Sequence, residues 1–106
     1  MEDEKLVFEA RVFSSIHEDG HAVLRLVGDF DSLDILKKVI KEAFSFIDKG
    51  IVDIVIEMKE VSFLSSYAVG MFVALEVLLR AYEGSLTLNS GLATGVVLQR
   101  AGLGVL

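Results

Sequence analysis

The run IVDIVIEMKEVSFLSSYAVGMF, residues 51–72, decides how the chain is read. Ile51 to Met58 is almost wholly apolar and rich in β-branched residues. Such side chains lose rotamers in a helix and pack well on a pleated surface. The short, nearly continuous apolar run predicts an interior strand. Lys59-Glu60 reads as the turn that ends it. The character then changes. Ser65 and Ser66 offer short oxygen side chains, which suit a helix start because they accept from free first-turn amides. A helix is expected from about Ser66 to Tyr82, with Glu83-Gly84 ending it.

Upstream, residues 6–13, LVFEARVF, carry a partial period-2 pattern, with Phe8, Ala10 and Val12 on one face. Asp19-Gly20 is a hairpin-type turn dipeptide. His21 to Val27 is a second strand, expected to pair antiparallel with the first. Gly28 to Ser32 breaks that strand, and Asp31 or Ser32 caps a helix. In that helix Leu36, Val39, Ile40, Ala43 and Ile47 recur at helical spacing, and Gly50 is a suitable stop. Downstream, Ser85 to Asn89 is a short strand, Leu92 to Ala101 an amphipathic helix, and Gly102 its stop. The order β-β-α-β-α-β-α implies one α/β domain spanning residues 1–106. Its mixed four-stranded sheet has an antiparallel first hairpin and a parallel core, with helices packed on it.

Composition narrows the function. The chain has 106 residues, 53% of them apolar, and a formal net charge of -6. An acidic domain without a basic stripe is a poor ligand for nucleic acid or an anionic membrane. The uncharged stretch Ser62 to Leu75 is too short and too polar at its start to span a bilayer. There are no cysteines, which removes thiolate metal sites and cysteine nucleophiles. MEDEKLVF, at the start, has no signal-peptide character. A soluble, cytoplasmic protein is expected.

Catalytic constellations are not legible. His17 and His21 bracket a turn and read as solvated. Gly91-Leu-Ala-Thr-Gly95 lacks the lysine and spacing of a phosphate loop. Asp29 and Asp31 sit at a strand end, where loops carry function, although a helix cap explains Asp31 better than acid–base chemistry does. Glu76 and Arg80 form an i, i+4 pair. No enzyme, cofactor or metal site is expected, and a ligand site where Asp29/Asp31 meet Ser65/Ser66/Tyr67 stays open. The helix from Ser66 is apolar on nearly all sides, and a small domain cannot easily bury all of it. One face, including Val69, Met71 or Val73, is therefore expected to meet a partner or a second copy of the chain.

These residues resemble a known family. Leu26-Val-Gly-Asp-Phe-Asp31 is similar to the apolar strand ending in Gly-Glu-Leu-Asp of STAS domains, the fold of bacterial anti-sigma factor antagonists. Ile54 to Leu64 resembles their central strand and the turn after it. Ser65-Ser-Tyr-Ala-Val-Gly70 falls on the signature Asp-Ser-Ser-Gly-Leu-Gly, and Leu86 to Asn89 with Val96 to Leu103 resembles the last common strand and helix. The resemblance implies a protein that binds an anti-sigma factor, itself a serine kinase, and is released when that kinase phosphorylates it. A phosphatase would reverse the switch. Ser66 matches the phosphorylated serine, with Ser65 as second choice, and Asp31 matches the loop aspartate near it. The implied partner surface is Asp29, Asp31, Ser65, Ser66, Tyr67, Val69 and Met71. The departures are Ser65 for the signature aspartate, Tyr67 for its second serine, Ala68 for its first glycine, and a shorter C-terminal part. They leave open a STAS scaffold without phosphorylation, or an accessory subunit of a larger regulatory or transport complex.

Overall fold

The strand read from Ile51 is the centre of the sheet. A computed structural model describes residues 9–100 and 102–104, so the readings on Phe8 and the first residues lie outside it. The elements are β1 (Arg11–Ile16), β2 (Ala22–Phe30), α1 (Leu33–Asp48), β3 (Asp53–Leu64), α2 (Ser66–Ala81), β4 (Ser85–Ser90) and α3 (Leu92–Arg100). The sheet order is β1-β2-β3-β4, with β1 antiparallel to β2 and the other pairs parallel. This is the expected mixed four-stranded architecture.

One face of the sheet makes the core. Ala22, Leu24, Leu26 and Phe30 alternate inward along β2, and Ile54, Ile56 and Met58 do so along β3. Ile35, Leu36, Val39, Ala43 and Phe46 of α1 join them, with Ala68, Phe72, Leu75 and Leu79 of α2 and Leu98 of α3. Burying such a side chain contributes about 1.5–3 kcal/mol. The other face is half-exposed and mixed, with Val23, Val27 and Val55 among Arg25, Asp29 and Glu57. There the Arg25 guanidinium lies 4.4 Å from the centre of the Phe13 ring, and Asn89 donates to Glu57 at 3.1 Å. The alternation along β2 therefore records a sheet with helices on one side only, although purely parallel sheets are usually covered on both.

Several boundaries differ from expectation. β1 lies further along the chain than residues 6–13, and Ala10 and Val12 pack against the core edge. The hairpin closes with three residues, 18–20. Gly20 at φ +93 donates to the His17 carbonyl at 2.9 Å. A left-handed third loop position of this kind favours glycine.

Gly28 does not break β2. The strand continues to Phe30, with Gly28 buried at φ +96 beside a register shift. Nor does Lys59-Glu60 end β3. Between Arg25↔Glu57 and Val27↔Glu60, β3 takes up one extra residue, and it takes up another between Gly28↔Val61 and Asp29↔Phe63. Each shift sets successive side chains outside the alternation.

In α1, Ile40 is 37% exposed rather than in the core. Phe46 is buried where the periodic reading had placed Ile47, which is half-buried.

Candidate functional site

The two parallel strands β2 and β3 end side by side, and a helix starts from each end. Phe30 pairs with Leu64, and the Ser65 amide donates to the Phe30 carbonyl at 3.1 Å. This places the start of α2 against the end of β2. Asp29, Asp31, Ser65, Ser66 and Tyr67 thus occupy one corner, at the carboxyl edge of the sheet. Ligands of open α/β sheets bind at such edges.

The two serines divide the work. Ser65 is the N-cap of α2, extended at φ -74 and ψ 163, and its hydroxyl accepts from the Ala68 amide at 3.3 Å. Ser66 is the first helical residue. It is exposed, and its hydroxyl makes no hydrogen bond among the described residues. Tyr67 is 66% exposed. Asp29 is half-buried, while Asp31 is exposed. Asp31 is not the cap of α1, because Ser32 holds that place and accepts from the Ile35 amide at 3.4 Å. Asp31 is therefore released from the structural role that competed with a functional one.

The expected docking face of α2 needs correction. Met71 is 9% exposed and packs in the core, and Val69 is half-buried against it. The large apolar side chains that α2 turns outward are Tyr67, Val73 and Val77. Sequence reasoning also passed over Leu33 and Phe63 at this corner, 56% and 53% exposed. Phe63 pairs with Asp29, and both lie outside the core. Its orientation follows from the second register shift, for which a sequence gives no direct signal.

The electrostatics are simple. No acidic residue stands in the first turn of α2, so its partial positive charge is unmatched within the helix. The backbone amides there can favour added negative charge. At the opposite end of β2, His17 and His21 stack with ring centres 4.4 Å apart. The His21 amide donates to Asp19 at 3.2 Å, and the His21 ring also bonds it. These bonds hold the Asp19 carboxyl below its ordinary pKa. That hairpin tip belongs to the other edge of the sheet and not to the serine corner.

No family model and no curated protein matches the chain. Among solved structures it is similar to the Bacillus cell fate determinant SpoIIAA in its phosphorylated form. The TM-score is 0.77 over 91% of this chain and 89% of that one, at 22% identity. The chain has the fold of SpoIIAA. The STAS-like architecture expected from the ordered segments is thus the one observed. None of the described helices is long and apolar enough to cross a membrane.

Proposed function

We propose that the chain is an anti-sigma factor antagonist, a cytoplasmic binding protein rather than an enzyme, switched by phosphorylation at Ser66. One observation carries the reading. Ser65 takes the capping role, which leaves the Ser66 hydroxyl exposed on the first turn of α2 beside the strand end that bears Asp29 and Asp31. The likeness in fold to a protein solved in a phosphorylated form supports it.

The mechanism is local electrostatics. A phosphoserine adds about 1.5–2 negative charges and three acceptor oxygens. At Ser66 the helix N-terminus accommodates them, so the fold does not need to change. A partner docked over Tyr67, Leu33 and Phe63 meets new bulk and new charge, already next to two aspartates. Binding is lost without refolding. The partner is an anti-sigma factor that is also a serine kinase, and a phosphatase resets the switch. Ser65 in place of the signature aspartate does not disturb this arrangement, since serine and aspartate are comparable N-caps.

The test is phosphate mapping by mass spectrometry after incubation with ATP and the candidate anti-sigma kinases of the source organism. Phosphate on Ser66, and its loss in Ser66→Ala, is the expected result. Ser66→Asp should weaken partner binding at least tenfold, while Ser66→Ala binds like the parent. If neither substitution alters binding and no phosphate is incorporated, the switch is wrong and the scaffold reading takes its place.

A further inference from the structure

A second surface stands apart from the serine corner. Ile40 and Phe44 of α1 are 37% and 48% exposed, large apolar side chains on the flank of α1 that faces α2. Ala74 and Leu78 of α2 line the other wall, and Met71 and Leu75 form the floor. The result is an apolar groove between two helices. Along α2 it runs from five to twelve residues beyond Ser66, about 8–18 Å at the helical rise. It continues over the outer face of α1, where Lys37 and Lys41 edge it.

That edge decides what fits. The chain is acidic overall, yet α1 and its C-cap hold Lys37, Lys38, Lys41 and Lys49, four of its ten basic residues. Lys37, Lys41 and Lys49 all line the α1 depression, with Asp48 as the one acid among its lining residues. The residues lining the α2 wall bring no charge, and the nearby Glu76 and Arg80 bond to each other at 2.9 Å. At physiological salt the screening length is about 8 Å, so rim lysines outweigh distant carboxylates for a ligand seated in the groove. A groove between two helices takes a third helix through apolar side chains at i, i+3 or i+4, and i+7.

We propose that this groove binds an acidic amphipathic helix of a partner protein. Its apolar face lies on Ile40, Phe44 and Leu78, and its carboxylates lie against Lys37 and Lys41. The site is independent of phosphorylation at Ser66, so the domain can hold one partner while it releases another.

The full chain can be titrated against a fluorescein-labelled 16-residue helical peptide with Leu and Phe at i, i+4 and i+7 and Glu at the flanking positions. A twin peptide with Lys in place of Glu is the control. Fluorescence anisotropy should show the acidic peptide binding at least tenfold more tightly than its twin. Amide chemical shifts should move at Lys37–Phe44 and Ala74–Leu78. Lys37→Glu with Lys41→Glu should reverse the preference between the peptides. Phe44→Ser should weaken both at least tenfold, and circular dichroism should show each variant folded. Ser66→Asp should change acidic-peptide affinity by less than twofold, which separates this surface from the serine switch. The proposal is overturned if the two peptides bind alike, if neither binds, or if charge reversal has no effect. It is also overturned if sedimentation shows a dimer that Phe44→Ser dissolves, because a second copy then fills the groove.

Discussion

Helices α1 and α2 begin in the same way and present different chemistry. Each follows a parallel strand, and each is capped by a serine that accepts from an amide three residues on. α1 then carries Asp34 in its first turn and follows Asp31, so carboxylates answer its positive end. α2 carries no acid there and shows a free hydroxyl instead. Capping satisfies one amide and adds no net charge. The pair therefore separates two demands that a helix start makes. α1 meets both from its own sequence. α2 meets only the first, and a modification at Ser66 would meet the second.

The two helices also end differently, and the largest predicted effect lies there. α1 reaches its left-handed residue at Gly50, φ +81, with open space around it. In α2 the left-handed residue is Glu83, φ +61, and the glycine comes one later. A Cβ at Gly84 would collide with the carbonyl oxygen of Val52, which accepts from the Ser85 amide. Gly84→Ala should cost about 1–3 kcal/mol by overpacking, measured by urea unfolding. It should exceed the cost of Gly50→Ala, which is a backbone conformational effect alone.

Next in size are the caps. Ser32→Ala and Ser65→Ala should each cost about 1 kcal/mol, and Ser66→Ala less than about 0.5 kcal/mol. A Ser66→Ala cost equal to that of Ser65→Ala would break the assignment of cap and free hydroxyl. Glu83→Gly should stabilise by about 0.5–1 kcal/mol, because relief of the left-handed strain exceeds the added chain entropy. No gain in the unfolding midpoint would contradict that.

The smallest effect concerns the exposed hairpin tip. Asp19 titrates below its ordinary value because the His21 amide, and then the His21 ring, bond the carboxylate. The sign follows from the lowered native pKa. The contribution is present above the unfolded-state pKa and is lost as pH falls through the native one. Carbon chemical shifts across that range should show the depressed midpoint. His21→Ala should return it only part of the way, since the backbone amide remains.

Legibility of the fold and of the corner varied for physical reasons. Ile54, Ile56 and Met58 announce a strand because β-branched and apolar residues crowd together there. Lys59 and Glu60 concealed its continuation, because a register shift exposes two side chains in succession and imitates a turn. Gly28 imitated a break for a similar reason, as its positive φ serves the strand instead of ending it. At the corner, the serines and aspartates were visible as residue types. Which serine caps differs by one position, a distinction that only backbone geometry makes. Met71 could not be told from Val73, because a helix apolar on every side has no preferred face in its sequence.

The two register shifts make β3 longer than the stretch of β2 it pairs with. Ala22–Phe30 is matched by Ile54–Leu64, yet the pairings at both ends are regular. The extra residues are slack stored in the middle of the strand. Removing one beside Lys59 or Ser62 would draw the chain straight, leaving Phe30 opposite Leu64 and the Ser65 amide on its carbonyl. Removing one from Ile54–Glu57 would turn the side chains between the cut and the first shift, the core residue Met58 among them, to the opposite face. Length can therefore drift in one half of this strand while the serine corner stays where it is, and it cannot drift in the other.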